Sequence, residues 1–256
     1  DRPAAQSPPL RPRRCDLGVV MANSLESGAF EDRMACTTTV RGDGFLVRQG
    51  VVQSRYVAVM LIGTKPDQIM RGVESFLFGH SPRLVAAAGF GSGLCDRLNR
   101  GDLVMADSIV GAGGEPIAVD RTLDRDFVAR TPRLFAGRLL TLEQSIHRPA
   151  EKRALGADHK ALAADRQSLS VAKVCRRETV PFFAVRAIVD SVDDELPAEV
   201  RHLTSRKTAA QRIGAIAGSL VRRPSAIKDL WNVYETSLTA SQILAQFLES
   251  VLTSKM

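Results

Sequence analysis

The sequence predicts an α/β protein, a three-layer α/β/α domain around a central mixed sheet, and three observations carry that prediction. Short apolar, β-branched runs of strand length recur between residues 17 and 190. Segments with helical spacing separate several of them, the order that builds a sheet covered by helices. Residues 201–256 then carry helical spacing alone.

The elements follow in chain order. Residues 1–14, DRPAAQSPPLRPRR, hold four prolines and almost no apolar periodicity, so they are expected to be a flexible Pro/Arg-rich arm, with the domain running from 15 to 256. LGVVMA reads as a buried strand, and SLESGAFEDRM as a helix with Ser24 as N-cap and Leu25, Ala29 and Phe30 on one face. FLVRQGVV and YVAVMLIG read as two strands joined by a short turn, and DQIMRGVESFLFG as a helix. LVAAAGF is a strand running into a glycine-rich turn, GFGSGL, and RLNRGDLVMADSIVG supplies a further strand pair.

Residues 112–136 give no clear pattern. Residues 138–144 read as a strand, PAEKRALG as a short helix, and DRQSLSVAKVCRRE as a longer one with Leu169, Ala172 and Val174 inward. PFFAVRAIVD is a continuous apolar strand of the fully buried kind. Two helical stretches, 208–221 and 225–252, are divided at Arg222-Arg223-Pro224, and the second is expected to be two helices or one kinked one.

Composition narrows the function classes. No run of 18 apolar residues and no basic-then-apolar leader occurs, so neither a membrane partner nor secretion is expected. Cys15, Cys36, Cys95 and Cys175 lie far apart without a CxxC or a histidine pair, which argues against a zinc site or a disulfide framework and for a reducing cytoplasm. The net charge is +7, but 28 acids are mixed among the 35 lysines and arginines and aromatics make up 5%, so nucleic acid is not an expected partner.

In open α/β sheets, ligands lie beyond the carboxyl ends of the strands. Glu26 follows the first strand, Gly89 to Gly93 follow another, and Asp190 ends a third. Glycines let a backbone approach a ligand closely, although structural turns use them equally often. Taken alone, Glu26 also reads as a first-turn acid facing the helix dipole, Asp190 as a helix N-cap, and Arg186 as the partner of a structural carboxylate.

The combination LGVVMANSLESGAF, GFGSGLCDRLNRGDLVMAD and DRQSLSVAKVCRRETVPFFAVRAIVDSVDDELP resembles the purine nucleoside phosphorylase and methylthioadenosine/S-adenosylhomocysteine nucleosidase superfamily, and its nucleosidase branch more closely, over about residues 16–250. The resemblance implies cleavage of the N-glycosidic bond of a purine nucleoside, with no cofactor or metal and a homo-oligomer, expected as a homodimer. It implies that Asp190 donates a proton to purine N7, that Glu26 activates water for attack at C1′, and that Arg186 serves the ribose side. Two carboxyl groups suit a bond that breaks through an oxocarbenium-like state. A phosphorylase needs an anion site, commonly a Gly-Asp-Pro turn, and none occurs. A phosphate-dependent enzyme would draw instead on Arg41, Arg48, Arg55 or Lys65.

Several positions depart from the family pattern. Arg166-Gln167 stands where a Met-Glu pair usually packs under the ribose and grips its hydroxyls. Gln167 keeps the hydrogen bonds without the charge, and Arg166 is expected to oppose an oxocarbenium, read an anionic ribose substituent, or face solvent. Phe90 replaces a small polar residue in the glycine segment, and Ile62-Gly63-Thr64-Lys65 keeps one glycine of a usual pair. Gly89 belongs to the same substrate-binding set. Ile146 is placed to offer backbone groups to the purine, and His147 lies where relatives contact the base. Such drift fits a changed substrate or a catalytically weakened nucleoside-binding protein.

Overall fold

The structure, a computed structural model, describes residues 14–119, 123, 125–195 and 226–254. The arm at 1–13, the helix expected at 208–221 and the Arg222-Arg223-Pro224 junction lie outside them. A mixed ten-stranded sheet forms the middle layer. β1 (Leu17–Met21) is buried at every position because it runs parallel between β4 (Arg55–Leu61) and β5 (Leu84–Gly93), with neighbours on both sides. β3 (Phe45–Val52) pairs antiparallel with β4 through a two-residue turn whose Gln53 and Ser54 both take positive φ, 50° and 64°. Next to β3 lies β2 (Ala35–Gly42), exposed along its whole length. Its sequence, ACTTTVRG, has no buried face and therefore no apolar alternation to betray a strand.

At the other side the sheet closes on itself. β10 (Phe182–Asp190) pairs parallel with β5 and antiparallel with β6 (Leu103–Gly111). β8 (Leu134–Thr141) and β9 (Ala163–Asp165) continue from β6, and β9 returns to the far end of β5. β5, β10, β6, β8 and β9 thus make a ring. A two-residue strand, β7 (Ile117–Ala118), adds to β6.

Several expectations are corrected. The strand expected over residues 84–90 does not run into a turn: β5 continues through Gly93, because the glycines let β10 and β9 approach it. At Gly91 a Cβ would lie 3.0 Å from the Cβ of Arg186 and 3.2 Å from the Ala164 carbonyl. Residues 97–111 hold one strand rather than two, since Asn99 and Asp102 form a turn in which the Asp102 carboxylate accepts from the Asn99 N–H at 2.6 Å.

Helices cover both faces. α1 (Ser24–Glu31) and α6 (Ala226–Thr253) pack together on one side, α2 (Pro66–His80) and α5 (Ser168–Arg177) on the other. α3 (Arg125–Arg130) and α4 (Pro149–His159) are the other helices among the described residues. Asn23, not Ser24, caps α1, its side chain accepting from the Leu25 N–H at 2.9 Å. α4 is one residue longer than α5, reversing the expected order, because α5 begins only at Ser168: Asp165 belongs to β9, and Gln167 is the N-cap. α6 is one continuous helix rather than two, since no proline or glycine falls between Ala226 and Thr253 to break it. Its Ser241 hydroxyl donates to the Glu26 carbonyl at 3.1 Å and accepts from the Ala29 N–H at 3.3 Å, pinning α1 to α6.

Candidate active site

The carboxyl ends of β1, β5 and β10, together with the loop after β8, enclose a cavity of about 260 Å³. Glu26, Phe90, Ile146, Arg166, Gln167, Arg186 and Asp190 all line it. Gly89 contributes space instead: a Cβ there would collide with the Arg186 guanidinium and the Glu26 carboxylate. His147 is not among the lining residues.

Glu26 reaches the cavity from the first turn of α1, where β1 has just ended. Its Oε2 accepts from the Ala22 N–H at 2.7 Å and its Oε1 from the Phe90 N–H at 3.4 Å. Burial pushes this carboxyl above the usual range, and the charge of Arg186 opposes that rise. It is a first-turn acid, as its position allows, and it also faces the cavity.

Arg186, on β10, is 2% exposed. Its Nη2 donates to Asp165 at 2.6 Å and to the Ser168 hydroxyl at 2.9 Å. The Asp165 carboxylate is itself held by the Thr141 hydroxyl at 2.6 Å and the Ser168 N–H at 2.8 Å. Arg186 therefore does pair with a structural carboxylate, and that pair forms part of the cavity wall.

Asp190 ends β10, four residues beyond Arg186 and about 13 Å along an ideal strand. A bulge between Ile188 and Asp190 re-aims the last residue, which pairs with Ser92 of β5. Asp190 is 3% exposed. Its Oδ1 accepts from the Ser92 hydroxyl at 2.9 Å, and its Oδ2 from Lys152 Nζ at 2.5 Å. Burial raises this carboxyl, while Lys152 and the Ser92 hydrogen bond pull it back down. No helix follows it within 191–195, so it caps none among the described residues.

Gln167 donates from Nε2 to the Gly63 carbonyl at 2.6 Å, and its Oε1 is buried without a protein partner among the described residues. Arg166 donates from Nη2 to the Glu143 carbonyl at 2.8 Å, and burial lowers its pKa. Among the described residues it makes no ion pair.

Three residues escaped sequence reasoning. Asp165 had a signal, an acid three residues before Ser168 at the start of a helical run. Ser92 lay in the glycine segment without being singled out. Lys152 had none: one lysine within PAEKRALG gives no sign of complete burial.

No protein-family model matches the chain. Solved structures do. The 5′-methylthioadenosine/S-adenosylhomocysteine nucleosidase of Helicobacter pylori superposes with a TM-score of 0.71 at 17% identity, covering 93% of this chain and 98% of its own. The futalosine hydrolase of the same organism gives 0.72 at 17%, over 93% and 97%. The Neisseria meningitidis 5′-methylthioadenosine/S-adenosylhomocysteine nucleosidase gives 0.70 at 14%, over 92% and 99%. The chain has the nucleoside phosphorylase-like fold. At these identities the likeness speaks for architecture, and the chemistry rests on the cavity itself. Chemically, the cavity offers two carboxyl groups that bind protons more tightly than usual and an unpartnered amide oxygen able to accept from a hydroxyl.

Proposed function

We propose that this protein hydrolyses the N-glycosidic bond of a purine nucleoside, with adenine as the expected base. The observation that carries this reading is that Asp190 and Glu26, 164 positions apart in the chain, line one cavity with both carboxyls raised by burial. Asp190 is the acid that protonates the leaving base, because a neutral purine is a far better leaving group than its anion. Glu26 takes a proton from the attacking water, and its two main-chain hydrogen bonds hold it ready to do so. Gln167 is assigned to a ribose hydroxyl through its unpartnered Oε1. Arg186 anchors this side of the wall through Asp165 and lies beside Glu26.

Solved nucleosidases of the same fold support the reading, and so does the position of the phosphorylase candidates. Arg41, Arg48, Arg55 and Lys65 are absent from the cavity lining, and Arg48 is held by Glu31. A homodimer in a reducing cytoplasm completes the proposal, and size-exclusion chromatography with light scattering tests the dimer. The deciding experiment incubates the protein with a panel of adenine nucleosides, with and without phosphate, and identifies the products by mass. Free base and free sugar without phosphate are expected. Strictly phosphate-dependent release would overturn hydrolysis, and nucleoside binding without release would favour the weakened-homologue reading that Arg166 and Gln167 raise.

A further inference from the structure

Lys152 is fully buried, on α4, with a side chain that ends against Asp190. Its Nζ donates to three oxygens: Asp190 Oδ2, the Ser191 carbonyl at 2.8 Å and the Asp194 carbonyl at 2.8 Å. Three acceptors match the three protons of an ammonium, whereas a neutral amine has two protons and would turn its lone pair on one of those oxygens. The site is therefore built for a cation. Tying α4 to the chain after β10 would require only the two carbonyls. The third contact goes to the carboxyl that lines the cavity.

We propose that Lys152 is a positioning residue for the leaving-group acid: its ammonium, with the Ser92 hydroxyl, fixes the Asp190 carboxyl and neutralises the carboxylate left when the proton passes to the base. This role rests on the hydrolase reading. As the C1′–N9 bond breaks, its electron pair goes to the base and the Asp190 proton goes to a ring nitrogen. The water oxygen bonds C1′ while Glu26 takes one of its protons. Nucleoside plus water gives sugar plus base, and exchange with solvent restores the Asp190 proton and removes the one on Glu26. During this step a neutral acid beside a cation becomes an ion pair in a dry setting, where a fixed counter-charge matters most.

The other groups acting on Asp190 are accounted for. Ser92 on β5 donates to it, Asp194 beyond β10 opposes its ionisation, and Arg100, before β6, attracts it but is bound to Asp194 through a 2.8 Å pair. Lys152 is the charge in direct contact.

The test compares the parent with Lys152→Met, Lys152→Gln and Lys152→Arg in steady-state kinetics across pH. A neutral residue should lower kcat by about 10- to 100-fold, with KM changing little, because the loss falls on the transition state. The reaction uses protonated Asp190, so the rate declines as pH rises through its pKa. Without the cation that pKa rises, and the declining limb should move to higher pH. Lys152→Arg keeps the charge, so its limb should stay near the parent position and part of the rate should return. A loss of kcat with an unmoved limb would reduce Lys152 to a structural role and overturn the proposal, as would a parent-like kcat. If Lys152→Met does not fold, Lys152→Gln, which still donates to a carbonyl, carries the comparison. If the parent releases no base from any nucleoside, the hydrolase reading fails on its own. Infrared titration of the Asp190 carboxyl, assigned by difference against Asp190→Asn, then decides for Lys152. The carboxyl should titrate at lower pH in the parent than in Lys152→Gln, and equal values would overturn the proposal.

Discussion

Glu26 and Asp190 face the same cavity from positions far apart in the chain, and the groups that hold them differ in kind. Glu26 accepts from main-chain N–H groups, and the cation acting on it, Arg186, is already paired with Asp165. Asp190 accepts from side chains only, and it is the one carboxylate paired with Lys152 among the described residues. The difference separates function from stability. Removing the charge of Glu26 leaves no cation alone, whereas removing that of Asp190 strands a buried ammonium.

The largest expected effect is one the two acids share. Glu26→Gln and Asp190→Asn should each lower kcat by about 10²- to 10⁴-fold, the usual range for general acid or base catalysis. Base release from an adenine nucleoside measures it, and a loss confined to one variant would break the pairing of roles. Stability should then divide them. Asp190→Ala should cost about 3 to 5 kcal/mol in denaturant unfolding, the cost of breaking a buried pair from one side, while Glu26→Gln should cost less, about 1 to 2 kcal/mol, because its amide NH2 must face the weaker of the two main-chain N–H donors. Adding Lys152→Met to Asp190→Ala should recover most of the loss. Sequence reasoning expects Asp190→Asn to leave the fold intact. The structure adds a penalty, softened because the amide oxygen still accepts from Lys152.

The pH dependence sharpens the contrast further. Glu26 works ionised and Asp190 protonated, so kcat/KM should rise through the first pKa and fall through the second, with both limbs above the ordinary carboxylate range near ~4. A profile limited at ordinary carboxylate values would contradict the burial of both groups. A folded pKa above the unfolded one gives stability that is present at low pH and lost as pH rises through the folded value. The stability of Glu26→Gln relative to the parent should therefore increase with pH over that interval, as paired thermal melts can measure.

The smallest effect concerns the neighbouring pair. Read from sequence alone, Gln167→Glu should raise activity several-fold by restoring charge under the ribose. The 2.6 Å donation from Gln167 to the Gly63 carbonyl changes that expectation, since a carboxylate would meet the carbonyl oxygen head-on. Gln167→Glu should lose about 1 to 3 kcal/mol of stability, with kcat/KM within about threefold of the parent. Arg166→Met should give the several-fold gain on a neutral nucleoside, because it removes a cation that opposes an oxocarbenium. A fall instead would point to an anionic substrate.

What the sequence made legible follows what leaves a pattern. β1 and β10 were visible because strands buried on both faces are continuous apolar runs, and the amphipathic helix α2 because its apolar spacing is regular. β2 was not, since it buries nothing. The acids at strand ends, Glu26 and Asp190, were legible through the family resemblance, whereas Asp165 went unread although its place before a helix was a signal. Lys152 was not legible at all. Its burial is decided by what α4 meets across the fold, and an isolated lysine reads the same whether it meets water or a carboxylate.

The ring formed by β5, β10, β6, β8 and β9 has a consequence for exchange with solvent. A strand bonded on both sides releases its amide protons only when a neighbour comes away, and in a closed circuit no member is first to peel. The amides of β5 and β10 beneath the cavity should therefore exchange with deuterium at the rate of global opening, while those on the outer edge of β2 open singly. The cavity floor is then as durable as the whole protein, whatever its loops do.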